Sequence, residues 1–398
     1  MKEFSKIVQE ISPSATLAID AIAKKMKEEG KNVIGFGAGE PDFNTPEHIK
    51  DAGKKAIDNN KTTYTAASGM PGIKTAICEK LRRDNGLEYS PAQIVVSNGA
   101  KHSLFNAFLA LLNPGDEVIL PAPFWLSYPE MIRIPGGKTV YLETTEDNGF
   151  KITPDLLMSK ITERSKVLVL NSPSNPTGMV YSKEELLEIA KIIVEQDLIV
   201  ISDEIYEKLI YDGLAHTSIA SLGDKIKEQT ILVNGMSKAF AMTGWRIGYT
   251  ASSLKIAQIM SNLQSHTTSN PNTIAQWASV SALDGSEDEI EKMRCEYQKR
   301  RDFMVDRINS INGISCIKPQ GAFYVMMNMR KLIGKSFNGS IINDENDFAK
   351  LLLEKAEVTV VPSTGFGIKG YVRLSYATSM QNITEGLNRI EKFINELK

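Results

Sequence analysis

Between about residues 45 and 285, short β-branched apolar runs alternate with longer stretches of helical period, and no other feature restricts the fold of this chain so strongly. The runs in "AQIVVSNGAKHSLFNAFLALL", "DEVILPAP", "KVLVLNSPSNPTG", "DLIVISDEIY", "TILVNGMSK" and "RIGYTAS" read as strands, with "SKEELLEIAKIIVEQ" as a helix between two of them. Strands alternating with helices build a largely parallel sheet covered on both faces, so the class is α/β. Most of the runs end in a polar cluster. Ligands of such open sheets bind outside the carboxyl ends of the strands, and the clusters are expected to converge on one cleft. From about residue 286 the pattern changes to a long charged amphipathic helix, "SEDEIEKMRCEYQKRRDFMVDRINS", followed by "GAFYVMMNM", "VTVVPSTGFG" and "GYVRLSYAT", the makings of a smaller α+β lobe. The expected division is a large domain over 46–285 and a small domain of 1–45 plus 286–398.

Composition narrows the partners. Lys+Arg 46 against Asp+Glu 48 leaves no basic excess for nucleic acid or an anionic membrane, which favours small-molecule partners. Cys78, Cys295 and Cys316 are odd in number and widely spaced, unlike a disulfide framework, and His48, His102, His216 and His266 are too scattered to suggest a metal site. The start lacks the apolar core of a signal peptide and no later run is long enough to span a bilayer, so the expected location is the cytoplasm. The glycine-rich "GFGAGEP" lacks dinucleotide-binding spacing and runs into Pro41 rather than a helix.

The strand ends carry the chemistry. Lys238 follows the run "TILV"; a lysine there loses hydration, its charged form is disfavoured, and it becomes a nucleophile toward carbonyls, although a packed stem with a solvated head is the commoner use. Asp203 follows four apolar residues and needs a cationic or proton-donating partner, unless it caps a helix; Tyr206 reaches the same place if the strand turns. Asn175 precedes Pro176 at another strand end, where it can hydrogen-bond a ligand or serve only a turn. Gly99 and Ala100 lead from a strand into a helix whose free N–H groups and dipole suit an anion, and Arg246 adds a permanent charge. With Trp125 to stack on a ring, or simply to fill core, the set fits a phosphorylated aromatic aldehyde with a ring nitrogen, pyridoxal 5'-phosphate.

At this point the chain resembles the class I (fold type I) pyridoxal-phosphate aminotransferases, and within them the bacterial-type aspartate enzymes. The resemblance rests on "PSATLAI", "GAGEPDF", "TTYTAASGMPGIKTAI", "SNGAKHSLFNA", "PFWLSYPEM", "NSPSNPTG", "SDEIYEKL", "SKAFAMTGWRIGY", "TIAQWA", "GAFYV" and "VRLSYA", in order and nearly end to end. It implies that Lys238 forms the Schiff base and then moves protons, that Asp203 pairs with the pyridine nitrogen, Tyr206 and Asn175 with the ring oxygen, and that Trp125 stacks. It further implies that Gly99, Ala100, Arg246 and Ser237 hold the phosphate, with Tyr64 contributing across a homodimer interface. Arg373 matches the clamp for the substrate α-carboxylate, approached by the Gly39 backbone and bordered by Trp125 and Asn175. Lys101, with Ser14 and Thr16, matches the distal-carboxylate site, and Lys101 is alternatively a second phosphate ligand. The implied activity is amino transfer, with aspartate as donor and 2-oxoglutarate as acceptor. Aromatic, prephenate or broad-specificity transfer, or a β-lyase reaction on the same cofactor, are the alternatives.

Overall fold

The computed structural model describes residues 3–11 and 15–398, the side chains of residues 15–18 and 20 excepted. After a two-residue strand, β1 (Ile34–Gly35), seven strands make one sheet: β2 (Ile94–Ser97), β3 (Glu117–Ala122), β4 (Lys138–Glu143), β5 (Ser165–Asn171), β6 (Ile199–Asp203), β7 (Thr230–Gly235) and β8 (Gly248–Ala251). Their spatial order is β2-β8-β7-β6-β5-β3-β4. The pairs from β7 across to β4 are parallel, as the alternating pattern predicts, whereas β8 runs antiparallel to both neighbours. The cause lies in segment 236–247, whose single helical turn is the short Thr243–Trp245, with no crossover helix to carry the chain to the far end of the sheet. β8 therefore starts at the end where β7 arrives, and Lys238 and Arg246 stay at that end together.

Side chains on the central strands alternate between two cores, the consequence of the two-residue period. On β6, Val200 packs with Leu168, Leu170, Ile189 and Ile193, while Ile201 packs with Val169, Leu104 and Phe108 on the other face. Each such buried aliphatic contributes roughly 1.5–3 kcal/mol, so the strand ends inherit a rigid base. Flanking helices are delimited by local chemistry. Ser182 and Glu185 form a capping box for Lys183–Glu195; Pro71 opens Pro71–Asn85, and Gly86 closes it in the left-handed region at φ 64°.

The remaining strands are β9 (Tyr324–Asn328), the hairpin β10 (Ser336–Phe337) and β11 (Ser340–Ile341), β12 (Val358–Thr359), β13 (Val361–Pro362) and β14 (Tyr371–Ser375). β13-β14-β9 form an antiparallel sheet, and β1 pairs in parallel with β12, which joins the N-terminal segment to the C-terminal part of the chain. Helices Asp288–Ser310, Glu345–Ala356 and Met380–Asn395 share a core with this sheet. Tyr206, Leu209 and Tyr211, just past β6, pack into that same core. Thus one short segment leads from the carboxyl end of the seven-stranded sheet into the second core. Among the described residues no helix is long and apolar enough to cross a membrane.

Candidate active site

The carboxyl ends of β5, β6 and β7 border a cavity of about 630 Å³. Its wall brings together Gly39, Ala100, Lys101, Trp125, Asn175, Asp203, Tyr206, Ser237, Lys238, Arg246 and Arg373, residues drawn from distant stretches of the chain. Gly99 adjoins them under Arg246. The concave, partly apolar shape and size are those of a small-molecule site.

Asp203 ends β6 and is 4% exposed, so its charge is poorly hydrated. Burial pushes its carboxyl up to about 6, against the lowering effect of two bonds it accepts: Tyr128 Oη at 2.7 Å and the Ile205 N–H at 3.2 Å. No helix follows Asp203, which excludes the capping role open to it in the sequence; the chain turns instead and brings Tyr206 to the same wall. Adjacent Glu204 accepts from Ser202 and Ser218 and meets His216 at 2.8 Å, a buried anion that works against ionisation of Asp203.

Lys238 lines the same cavity, partly buried, and donates to the carbonyl of Gly39. Loss of hydration lowers its pKa to about 8; Glu40 opposes this, while Arg373 and Arg246 add to it. A lysine and a carboxylate thus line one cavity with both shifted toward their neutral forms, a pattern concentrated at functional sites.

Arg373, on β14, is 2% exposed and has no ion pair among the described residues. Its guanidinium donates to Asn175 Oδ1 at 2.9 Å and the Gly37 carbonyl at 3.0 Å, and lies 4.3 Å from the Tyr324 ring centroid and 5.1 Å from that of Phe366. Its Nε is buried with no hydrogen-bond partner among the described residues. A buried cation in this state can receive a carboxylate, because the charge is already desolvated and has no counter-ion among the described residues. Since Asn175 Oδ1 is taken by Arg373, what Asn175 has left to offer a ligand is its amide N–H.

Also on this cavity, helix Ala100–Leu111 starts from Gly99, held at φ 87°, and no described hydrogen bond uses the N–H of Ala100 or Lys101. Arg246, itself in the left-handed region at φ 56°, donates to the Thr243 carbonyl at 2.9 Å and rests on Gly99, where a Cβ would displace its guanidinium. Free helix N–H groups beside a guanidinium that has no ion pair among the described residues can cradle an anion. Lys101 stands 4.9 Å from the Trp125 ring, its ammonium disfavoured by burial and by Arg246. It also borders a second cavity of about 880 Å³.

Not every candidate joins this cleft. Tyr64 is 89% exposed and lies outside its wall. Ser14 lies outside the described residues, and Thr16 falls in helix Ala15–Glu28 with its side chain outside them. Among the wall residues not singled out from the sequence are Tyr128, Tyr324 and Glu40. Tyr128 sits three residues after Trp125, the spacing of one helical turn, and the two rings meet edge to face at 5.3 Å.

Residues 31–390 match the model of the family "Aminotransferase class I and II". The aspartate aminotransferase of Bacillus subtilis is 47% identical over 394 residues, 99% of either chain. Among solved structures, the aspartate aminotransferase from Rhizobium meliloti superposes with TM-score 0.97 at 42% identity over 100% of both chains, and that from Thermus thermophilus with maleate gives 0.93 at 44%, covering 99% of this chain and 100% of that one. By a family match over most of its length and a near end-to-end relative almost half identical, the chain belongs to the class I and II aminotransferases and is a pyridoxal 5'-phosphate enzyme of fold type I.

Proposed function

We propose that the cleft binds pyridoxal phosphate between Lys238 and Asp203 and transfers the amino group of aspartate to 2-oxoglutarate. The observation that carries the reading is the pair of opposed shifts: Lys238 lowered to about 8 and Asp203 raised to about 6 on the walls of one cavity. The residues fit the cofactor. Asp203 is a buried carboxylate available to a ring N–H⁺, and the glycine-floored cradle of Gly99, Ala100 and Arg246 is available to a phosphate, with Ser237 beside Lys238 on the wall. Bound there, pyridoxal phosphate supplies an aldehyde for amines and a conjugated ring that accepts the electron pair of the substrate's α C–H bond.

The chain's own residues do the rest. Lys238 Nζ holds its proton weakly enough to take one from the substrate α-carbon and to return one. Asp203 keeps a proton on the ring nitrogen, and Tyr128 holds that carboxylate in place. Trp125 covers a ring face, while Tyr206 and Asn175 donate to the ring oxygen; burial raises the Tyr206 phenol well above its usual range, so it stays a donor. Arg373 takes the α-carboxylate beside the Gly39 backbone, and Lys101, with Ser14 and Thr16, takes the distal one. The large domain over 46–285 would hold the cofactor. The small domain, 1–45 plus 286–398, would close over the substrate and exclude water. Widely spaced cysteines support a cytoplasmic setting.

Aspartate is supported by Lys101 and by the names of the relatives, one of which was solved with maleate, itself a dicarboxylate. A panel of amino donors with 2-oxoglutarate as acceptor tests it, and steady turnover with no 2-oxo acid present would point to a lyase instead. Lys101→Ala is expected to depress kcat/KM for aspartate and glutamate by roughly 1.5–3 kcal/mol, the worth of a charge-assisted bond, and much less for alanine or phenylalanine. An equal loss for all donors with weaker cofactor retention would make Lys101 a phosphate ligand and remove the main support for aspartate.

The active unit in this reading is a homodimer, with exposed Tyr64 reaching the partner's phosphate. Mixing Lys238→Ala subunits with subunits inactivated at Tyr64 is then expected to restore activity, because a hybrid dimer holds one intact site. Hybrids that form yet stay inactive would refute shared sites.

A further inference from the structure

Tyr206 does not face the cleft alone. Its hydroxyl lies 3.0 Å from that of Tyr324, on β9, and both side chains are buried, at 3% and 1% exposure. The Tyr206 ring is also bracketed edge-on by Phe323, with centroids 5.4 Å apart, so it has little room to swing. Tyr324 in turn carries the Arg373 guanidinium on its ring, and its hydroxyl stands 3.4 Å from where a Cβ on Gly39 would be, the residue whose carbonyl accepts from Lys238. Between two hydroxyl oxygens at hydrogen-bond distance there is room for one proton. If Tyr206 supplies it, the Tyr206 hydrogen points at Tyr324 and away from any ligand; if Tyr324 supplies it, the Tyr206 hydrogen is released to the cleft.

We propose that Tyr324 is a positioning residue whose hydroxyl donates to Tyr206 Oη and thereby commits Tyr206 to donate to the cofactor's ring oxygen. This rests on the reading above that Tyr206 meets that oxygen. The charged and titratable groups around Tyr206 are Tyr324, Arg373, Asp203, Lys238 and Tyr128, and those around Lys238 are Glu40, Arg373, Arg246, Asp203 and Tyr206. Tyr324 is the one of these groups within hydrogen-bond distance of Tyr206 Oη among the described residues, at 3.0 Å, so a Tyr206 that donates to the ring oxygen leaves Tyr324 as the donor between the two hydroxyls. Chains of hydroxyl bonds also strengthen one another, so a Tyr206 that accepts from Tyr324 is the better donor. A stronger donor at the ring oxygen stabilises its negative charge and weakens the hold of the neighbouring Lys238 nitrogen on its proton.

The test is a spectrophotometric pH titration of the purified holoenzyme, reading the midpoint at which the visible band of the bound cofactor changes. Tyr324→Phe keeps the ring under Arg373 and removes only the hydroxyl. Its midpoint is expected to rise, a gain in proton affinity of roughly threefold to tenfold for loss of one neutral hydrogen bond. Tyr206→Phe is expected to shift further, and the double variant to titrate like Tyr206→Phe alone, because Tyr324 acts through Tyr206. An unmoved midpoint in Tyr324→Phe beside a shifted Tyr206→Phe overturns the inference and leaves the reading of Tyr206 standing. No shift in either variant overturns both. A double variant whose shift is the sum of the two single shifts, or a Tyr324→Phe enzyme whose one change is a higher KM for the amino donor, also overturns it, since either would make Tyr324 an independent contact or a mere support for Arg373.

Discussion

Lys238→Ala is expected to abolish transamination while pyridoxal phosphate still binds noncovalently. Proton transfer by a positioned side chain is worth about 10²–10⁴-fold by itself, and this variant also loses the amine that links to the aldehyde. The Lys238 head group contacts the Gly39 carbonyl rather than a structural carboxylate, so truncation removes chemistry without orphaning a buried ion partner. Asp203, Arg246 and the Gly99 turn remain to hold ring and phosphate. Borohydride reduction of the native enzyme followed by peptide mapping should label Lys238. Label on any other lysine would refute the assignment.

Asp203→Ala is expected to cost about 3–4 kcal/mol of barrier, in line with removal of an electrostatic stabiliser from a dry site. Cofactor content should fall far less, because the phosphate cradle of Gly99, Ala100 and Arg246 is made by other residues and is untouched. The distinction follows from what the carboxylate does: at 4% exposure and with a pKa near 6, it can hold a proton on a ring nitrogen that would otherwise lose it. Single-turnover rates with aspartate, set beside cofactor content measured after alkaline release, separate the two quantities. Near-normal turnover would mean that the ring nitrogen is not held at Asp203.

Much of this architecture was legible because buried strands are nearly continuous apolar runs. β5, β6 and β7 show it, with both faces covered by helices. β4 was missed for the complementary reason: as an edge strand it mixes exposed and half-buried positions and has no pattern to stand out. The antiparallel direction of β8 could not be read either, since side-chain period is the same in both directions. Within the cleft, residue types at strand ends pointed to Lys238 and Asp203, but their partners come from far away in sequence. Tyr128 is 75 residues from Asp203, and Asn175 is 198 from Arg373. Such pairings are properties of the folded sheet, invisible to any local window. The resemblance to the aminotransferases supplied Arg373 and Tyr64, which no pattern in the chain itself would have marked.

The contact between the ends of β2 and β8 bears on how chains like this one can diversify. Gly248 has no room for a methyl group against the Ala100 backbone, and Gly99, beneath Arg246, is held at φ 87°, a conformation side chains rarely adopt, so glycine is strongly favoured at both. Drift there is closed off in both directions, because a larger residue at one would demand movement of the helix start or of the arginine that the other supports. Lys101 borders two cavities, and new side-chain preferences can be explored around it while the anion cradle stays unchanged. A lineage built on this scaffold would therefore be expected to change what it accepts more readily than how it holds its cofactor.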